Sequence, residues 1–387
     1  MRKITEKIKY IGVDDDELDL FESQYVVPEG MAYNSYLIED EKIAVMDTVD
    51  ARCGEAWLRN LEEALQGRKP DYLVMHHIEP DHSGMAAAFS ERYPDAVILA
   101  SAMGVRFLGQ FAPDTTFRTQ VVKEGDTVSL GAGELRFLSA PMVHWPEVMV
   151  SQYGQVLFSA DAFGKFGSLG KCGFFIDEDD DWACEARRYY FNICGKYGSQ
   201  VQALLKKVGA PEVICPLHGP ILRGDLSEYL NLYNIWSSYG VETEGVFVAY
   251  ASIHGCTKEA ALRLAEMLRE QGCPKVAVAD LTRDDMAEAV EDAFRYGRMV
   301  LAASTYDAGL FTPAWNFLHT LQVKGWCKKK VALIENGTWA PMAAKVMTEM
   351  LTAMKDIEIV GTPVSLRSRM KASDVPALEA LARAIQE

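Results

Sequence analysis

The stretch from Met75 to Gly84 constrains the chain most, because five potential metal ligands fall within seven residues. It directly follows the apolar run Tyr72–Met75, and a buried strand that ends in a loop is a rigid base for presenting ligands. Imidazole and carboxylate groups together suit iron or manganese better than the sulfur-rich sets of structural zinc. The pattern favours a catalytic metal over a solvated turn. The five residues are His76, His77, Glu79, Asp81 and His82.

Three more potential ligands stand at the ends of other apolar runs. His144 follows residues 135–143, Asp161 follows residues 156–160, and His218 follows residues 213–217. Four separate strand ends are therefore predicted to deliver imidazole or carboxylate groups, as expected for a site built on an α/β scaffold.

This combined pattern resembles the flavodiiron proteins over nearly the whole chain. The matching motifs are H-x-E-x-D-H from His77 to His82, a distant histidine, L-F-S-A-D ending at Asp161, and H-G-P beginning at His218. The resemblance implies an N-terminal metallo-β-lactamase-like αββα sandwich with two irons, followed by a flavodoxin-like doubly wound parallel sheet with FMN. It assigns His77, Glu79, His144 and Asp161 to one iron, and Asp81, His82, Asp161 and His218 to the other, with Asp161 bridging. His76 has no place in this set.

Glu79 separates the leading interpretation from its rival. Hydrolytic relatives on the same fold usually have a second histidine at this position, so Glu79 favours a di-iron redox site. Two neighbouring metals also need anionic ligands to reduce their mutual repulsion. The alternative is a dinuclear zinc metallo-hydrolase fused to a flavodoxin-like domain. A flavin electron carrier with a degenerate first domain is a third hypothesis.

The predicted domains are residues 1–240 for the metal domain, 241–245 for a polar linker flanked by glycines, and 246–387 for the FMN domain. In the last range, strands and helices alternate regularly, which predicts a parallel sheet. The five predicted strands cover residues 246–250, 276–279, 299–303, 331–334 and 357–360. Ligands of such sheets bind beyond the carboxyl ends of the strands.

Three loops at predicted strand ends resemble the flavin loops of flavodoxins. The first opens a helix, so that hydroxyls and backbone N–H groups converge where a phosphate could bind. In the other two, which resemble the loops that enclose the flavin ring, Tyr306 and Trp339 could stack on an aromatic ring. The predicted FMN-binding residues are Ser252, Ile253, His254, Gly255, Cys256, Thr257, Ser304, Thr305, Tyr306, Asp307, Asn336, Gly337, Thr338 and Trp339.

Composition narrows the partners. The net charge is −16, all of it in residues 1–245, so nucleic acid is not an expected partner. The basic stretch Lys324–Lys330 is either a solvated loop or a docking spot for an acidic carrier. No apolar segment suggests a membrane span or a secretory signal, so the expected location is cytoplasmic. The eight cysteines contain no C-x-x-C pair, which predicts an external electron donor.

The resemblance further implies an oxidoreductase that reduces O2 to water, NO to N2O, or both. Electrons would come from a carrier such as rubredoxin or a reduced deazaflavin. A head-to-tail homodimer, or a dimer of such dimers, would bring the FMN of one subunit to the irons of the other. Tyr190, in a helix predicted over residues 182–207, is a candidate catalytic residue, as a proton donor or as a support for the metal ligands.

Overall fold

A computed structural model describes residues 2–178 and 181–387. The chain forms two compact units, Met1–Tyr190 with Ser199–Asn234, and Phe191–Gly198 with Ile235–Glu387. Residues 191–198 and 235–245 thus group with the second unit. The sequence instead predicts a single boundary between the domains, at the linker 241–245. Among the described residues, no helix is long and apolar enough to cross a membrane.

Short strands dominate the chain up to residue 240, with helices between them. The strands are β1 (Ile8–Tyr10), β2 (Val13–Asp15), β3 (Leu20–Phe21), β4 (Tyr25–Val26), β5 (Met31–Tyr33), β6 (Tyr36–Glu39), β7 (Ile43–Met46), β8 (Tyr72–Val74), β9 (Val97–Ala100), β10 (Thr119–Val121), β11 (Thr127–Ser129), β12 (Glu134–Ser139), β13 (Met149–Tyr153), β14 (Val156–Phe158), β15 (Val213–Cys215) and β16 (Leu222–Arg223). The helices are α1 (Gly54–Leu65), α2 (Pro80–Ser83), α3 (Ala86–Arg92), α4 (Ala102–Phe111), α5 (Leu169–Cys172), α6 (Trp182–Ile193), α7 (Gly198–Val208) and α8 (Ser227–Ser237).

The described part of the first unit contains two six-stranded sheets, in the orders β1-β6-β7-β8-β9-β10 and β11-β12-β13-β14-β15-β16, and two small pairs, β2 with β5 and β3 with β4. Side chains from both sheets share one apolar core, for example Met46 and Val74 from the first sheet with Phe137 and Phe158 from the second. The sequence dictates the helices locally: in α1, Trp57, Leu61 and Leu65 recur every four residues and are all buried. The result is the predicted two-sheet sandwich.

The second unit alternates strands and helices. Its strands are β17 (Val246–Ala251), β18 (Val276–Asp280), β19 (Arg298–Tyr306), β20 (Gly309–Leu310), β21 (Lys329–Asn336), β22 (Ile357–Ile359) and β23 (Val364–Leu366). Its helices are α9 (Cys256–Glu270), α10 (Met286–Arg295), α11 (Thr312–Val323), α12 (Ala343–Thr352) and α13 (Val375–Gln386).

The sheet of this unit runs β18-β17-β19-β21-β22, with all of these neighbours parallel. This is the 2-1-3-4-5 order of flavodoxin-like folds. Helices α9 and α13 pack together over the sheet, and α10, α11 and α12 form a second packed row. The predicted fold class, a doubly wound parallel sheet after a two-sheet sandwich, is confirmed.

Two details differ from the sequence prediction. The helix predicted over residues 182–207 is interrupted between α6 and α7 by a 3₁₀ turn at Gly195–Tyr197. Strand β23 was missed, because Gly361 and Pro363 interrupt the apolar pattern after β22. Strand β23 pairs in parallel with the end of β21, with Asn336 opposite Leu366.

The basic stretch covers the loop between α11 and β21 and the first two residues of β21, and several of its lysines serve the fold. Lys324 Nζ donates to the carbonyl of Asn192 at 2.7 Å, and Lys328 Nζ to that of Ser238 at 3.0 Å. Lys329 is buried and donates to a carbonyl in the last turn of α10, and burial lowers its pKa to about 8. Helix-end capping by lysine explains this residue without a docking role.

Candidate functional site

Two parallel strands of the second sheet place Asp161 and His218 together. Strands β14 and β15 are paired in parallel, with Phe158 opposite Cys215. Asp161 lies three positions after Phe158, and His218 lies three positions after Cys215. The carboxyl ends of parallel strands leave a sheet at the same edge. Both side chains are buried there.

The first sheet delivers the ligand stretch in the same way. Strands β7 and β8 pair with Met46 opposite Val74, so that Asp47 and His76 leave the sheet side by side. Pro80 opens the one-turn helix α2, which carries Asp81 and His82. His82 is fixed through its carbonyl, which accepts hydrogen bonds from the backbone N–H and the hydroxyl of Thr48.

Four side chains form a first cluster: His77, Glu79, His144 and Asp161. His77 Nε2 lies 3.2 Å from Glu79 Oε2 and 3.3 Å from both His144 Nε2 and Asp161 Oδ2. His144 Nε2 lies 3.0 Å from Glu79 Oε2 and 3.2 Å from Asp161 Oδ2. One nitrogen from each imidazole and one oxygen from each carboxylate thus converge on a common centre.

Asp81, His82 and His218 form a second cluster. His82 Nε2 and His218 Nε2 lie 3.2 Å and 3.3 Å from Asp81 Oδ2. Both rings also face Asp161, but through its other oxygen: Oδ1 lies 3.2 Å from His82 Nε2 and 3.7 Å from His218 Nε2. Asp161 therefore presents one carboxylate oxygen to each cluster.

These spacings fit two metal ions. Metal–ligand bonds of about 2.1 Å at tetrahedral or octahedral angles separate neighbouring ligand atoms by about 3.0 to 3.4 Å. Several of the atoms are also buried without a hydrogen-bond partner among the described residues, which is costly unless a cation binds them. These atoms are both carboxylate oxygens of Asp81, both ring nitrogens of His82, Asp161 Oδ1 and His218 Nε2.

Hydrogen bonds at Nδ1 determine which ring nitrogen His77 and His218 direct toward a metal. His77 Nδ1 donates to Glu147 Oε1 at 2.7 Å, and His218 Nδ1 donates to the carbonyl of Ala32 at 2.7 Å. Because each Nδ1 is engaged in this way, Nε2 is the nitrogen directed into the cluster. Glu147 also accepts the backbone N–H of Ile78 at 3.1 Å. Sequence reasoning missed Glu147, whose signal is an acid directly before the apolar run Val148–Val150.

The charges of the clusters support one another. Burial alone would raise the pKa of Asp161, but the charges of His77 and His82 hold it well below its usual range. Burial also opposes the shift at Glu79, yet hydrogen bonds from His144 and His77 lower its pKa to about 2. Conversely, the two carboxylates Asp161 and Glu79 outweigh burial and raise the pKa of His144 to about 9. The carboxylates are therefore ionised and ready to bind cations at neutral pH.

His76 points away from both clusters. Its Nδ1 lies 2.5 Å from Asp47 Oδ2 and its Nε2 lies 2.8 Å from the hydroxyl of Ser151. Asp47 Oδ1 in turn accepts the backbone N–H of His76 at 2.7 Å. The absence of His76 from the predicted ligand set therefore agrees with its contacts.

Tyr190 is buried and packs edge-on against Tyr233, with ring centroids 5.1 Å apart. The ring of its neighbour Tyr189 lies 5.7 Å from that of His218. The catalytic role of Tyr190 stays a prediction.

A cavity of about 310 Å³ opens beside the clusters. Its walls include Glu79 and Asp81, one from each cluster, and Tyr33, whose hydroxyl accepts a hydrogen bond from Arg52 Nη2 at 3.1 Å. The short hairpin of β3 and β4 contributes Phe21 and Glu22 to the lining. The cavity provides a place for a small substrate next to both clusters.

The second unit holds a larger cavity of about 610 Å³ at the carboxyl edge of its sheet. Of the 14 predicted FMN-binding residues, all except Gly255 line it. Gly255 instead adopts a left-handed conformation (φ 88°) at the start of α9, where its N–H bonds to the Ser252 hydroxyl at 3.1 Å. The three predicted loops therefore enclose one site. The cavity also includes Ala308, Ala340 and Ser368, which were not predicted.

Comparisons with known proteins agree with both halves of this architecture. Residues 31–219 match the family described as "ODP family beta lactamase". The chain is 31% identical to a nitric oxide reductase of Moorella thermoacetica, over 93% of this chain and 91% of that protein.

Two solved structures match over the full length of the chain. One is a rubredoxin oxygen:oxidoreductase of Desulfovibrio gigas, 29% identical with a TM-score of 0.93 and 97% of its chain covered. The other is a flavodiiron protein of Giardia intestinalis with a TM-score of 0.92, 95% covered, whose 21% identity bears on the fold alone. The chain therefore belongs to the flavodiiron proteins, the family of flavin- and iron-dependent oxidoreductases that its sequence motifs resemble.

Proposed function

We propose that this chain passes electrons from an external carrier through FMN to two irons, and that it reduces O2 to water, NO to N2O, or both. The observation that supports this most is the placement of Asp161, whose two oxygens face two separate sets of ligand atoms. In this proposal His77, Glu79, His144 and Asp161 hold one iron, and Asp81, His82, Asp161 and His218 hold the other.

The ligand set favours iron over zinc. Glu79, Asp81 and Asp161 bring three carboxylates to a site of four imidazoles, and such hard ligands suit redox-active iron. The anionic charge also reduces repulsion between two cations only a few ångströms apart. The relatives are named oxygen and nitric oxide oxidoreductases, so the zinc-hydrolase alternative is not favoured.

Each part of the chain has a defined task in this reaction. When bound, the two irons and FMN supply the one- and two-electron chemistry. Glu147 keeps the imidazole of His77 oriented, and the carbonyl of Ala32 does the same for His218, as hydrogen-bonded partners of metal ligands do. The 310 Å³ cavity admits a diatomic molecule beside Glu79 and Asp81. The loops of the second unit hold FMN, with Ser252–Thr257 at the phosphate and the other two loops at the ring.

A rubredoxin-type protein is our proposed electron donor, with a reduced deazaflavin as the alternative. The rubredoxin proposal draws on the name of the Desulfovibrio gigas relative. We place the enzyme in the cytoplasm, where its eight cysteines would stay reduced.

We also propose that electrons cross between subunits of a head-to-tail homodimer. Trp339, at the rim of the flavin cavity, is 87% exposed, and so large an exposed ring is unfavourable unless flavin or a second subunit covers it. A two-fold interface would make two flavin-to-iron contacts at once.

Mixed dimers test the subunit crossing. His82→Ala should remove iron function and Trp339→Ala should weaken the flavin site, so each parent alone is impaired. In a heterodimer of the two, one intact pair would form across the interface, and partial O2 or NO reductase activity should return. Verified mixed dimers with no activity above the parents, or full activity of a dilute monomer, would contradict the crossing.

Steady-state turnover tests the reaction itself. Wild-type protein, reduced by rubredoxin and a reductase under anaerobic conditions, should consume added O2 or NO, and the activity should vanish in Asp161→Ala. An enzyme that hydrolyses esters or thioesters but leaves both gases untouched would refute the oxidoreductase proposal.

A further inference from the structure

In the parallel sheet of the second unit, two short strands share the fifth strand position. Strand β22 lies beside the beginning of β21, with Val331 opposite Ile359, and β23 lies beside its end, with Asn336 opposite Leu366. Because both are parallel to β21, the residues that follow β23 leave the sheet at the edge where the flavin loops lie. A fourth strand end therefore reaches the 610 Å³ cavity.

The turn after β23 is bonded to the third flavin loop through Asn336. The Asn336 side chain donates to the carbonyl of Ser368 at 2.7 Å and accepts the N–H of Ser368 at 3.1 Å. The N–H of Gly337 bonds to the carbonyl of Leu366 at 3.1 Å. A pair of bonds through one side-chain amide fixes both the distance and the orientation of the two segments.

Two further bonds reach the outer part of the same loop. The hydroxyls of Thr338 and Ser368 lie 2.9 Å apart, and Arg367 Nη1 donates to the carbonyl of Trp339 at 3.0 Å. Trp339 is the most exposed large hydrophobic residue of the described chain, yet its backbone is held in place. A binding wall that is fixed before the ligand arrives loses less entropy on binding.

The conformation of Ser368 points the same way. Its φ is 69°, in the left-handed region where glycine is favoured, and it nevertheless carries a side chain that lines the cavity. Strained backbone positions of this kind are often retained at ligand sites.

We propose that the Arg367–Ser368 turn is a fourth flavin-binding segment of this chain. Ser368 contacts the ring end of FMN together with Thr338, and Arg367 is a positioning residue that holds Trp339 through its carbonyl. The inference rests on the FMN site proposed above, and it adds residues that the three flavodoxin-like loops do not contain.

Ser368→Gly is the most informative variant, because it removes the hydroxyl while relieving the left-handed strain. The flavin-free full-length variant should unfold at the same urea concentration as wild type or a higher one. Its FMN dissociation constant, from quenching of flavin fluorescence, should nevertheless rise about 3- to 10-fold, the equivalent of one lost hydrogen bond. Arg367→Met should give a similar rise.

Arg369→Met is the matched control. Arg369 is an exposed arginine of the same segment, 3.8 Å from Glu259, and should leave the affinity within about twofold of wild type because its ion pair is exposed.

Riboflavin separates ring contacts from phosphate contacts. It lacks the phosphate, so Ser368→Gly and Arg367→Met should weaken riboflavin by the same factor as FMN. A Thr257→Ala variant of the phosphate loop should weaken FMN more than riboflavin. A loss confined to FMN in the Ser368 and Arg367 variants would place the turn at the phosphate and overturn the assignment.

The outcomes also distinguish this inference from the proposed function. If wild-type apoprotein fails to bind FMN, the flavin site itself is wrong. If wild type binds FMN, and Ser368→Gly and Arg367→Met bind it as tightly as Arg369→Met does, the three-loop site stands and the fourth segment is refuted.

Discussion

His76 Nδ1 lies 2.5 Å from Asp47 Oδ2, and the same imidazole joins the two sheets of the first unit. Asp47 follows β7 of the first sheet, and the other ring nitrogen reaches Ser151 in β13 of the second. The order Asp, His, Ser is that of a hydrolytic triad, but all three side chains are buried and pack within the fold. The neighbour of ligand candidate His77 is therefore a cross-link that steadies the ligand stretch.

Replacing His76 should cost far more stability than replacing Ser151. His76→Leu leaves the Asp47 carboxylate buried without its imidazole, a loss of about 3 kcal/mol or more, whereas Ser151→Ala removes one hydrogen bond worth about 1 kcal/mol. Urea unfolding of the metal-free protein, followed by signals of the first unit, measures both. Equal losses in the two variants would show that the imidazole does not hold the carboxylate.

Asp161 and His218 should differ in how much metal they control. Asp161 faces both clusters and His218 faces one, so Asp161→Ala should lose both irons and His218→Ala about one. Both variants should keep FMN, because the flavin cavity lies in the other unit. Iron analysis and flavin absorbance on the same samples check this, and loss of FMN from still-folded protein would contradict the separation of the two sites.

Glu147 should tune metal affinity without touching a metal. Glu147→Ala frees the Nδ1 of His77, and removal of such a hydrogen-bonded partner typically lowers metal affinity about 10- to 100-fold. Glu134→Ala, at an exposed position of strand β12, is the control and should change nothing. Competition with a chelator gives both affinities. Matching values for the two variants would remove Glu147 from the site.

Metal affinity should rise with pH. In the metal-free protein the pKa of His144 is raised to about 9, so at neutral pH a metal must displace a proton from this ring. Glu79, with its pKa lowered to about 2, stays ionised and adds no dependence above pH 4. Cobalt(II) titrations between pH 6 and 8 should show affinity rising at least about tenfold per pH unit. A flat profile would mean that His144 is not a ligand.

The same shift sets the pH range in which the ion pairs stabilise the metal-free protein. Because the folded-state pKa of His144 is raised, its contribution is fully present below the unfolded value of about 6.5 and is lost as pH rises through about 9. Glu79 contributes above about pH 4.5, and its share is lost as pH falls toward 2. The unfolding free energy of the metal-free protein should therefore be highest between about pH 4.5 and 6.5 and should fall at lower and at higher pH.

Residues at the ends of strongly apolar strands were the most predictable part of this protein. His77, Asp161 and His218 each follow a short buried strand, and parallel pairing brings such ends to one edge, so their convergence could be inferred without coordinates. Their division into two ligand sets came from the resemblance to the flavodiiron proteins. The flavin loops followed from the same rule applied to β17, β19 and β21.

Residues that act on another side chain were not predictable. Glu147 and His77 are 70 positions apart in the sequence, and only the folded structure shows that their side chains are in contact. Ser368 was missed because the strand before it, β23, is only three residues long and follows Gly361 and Pro363. Such a short segment has no apolar periodicity from which a strand could be predicted.

Cofactor content measures the central assignment most directly. Protein produced with iron and zinc both available should purify with about two irons and one FMN per chain, since two ligand clusters and one flavin cavity are present. Elemental analysis and the visible flavin spectrum of one preparation give both numbers. Two tightly held zinc ions, no iron and no flavin absorbance in folded protein would contradict the di-iron and flavin assignment and restore the hydrolase.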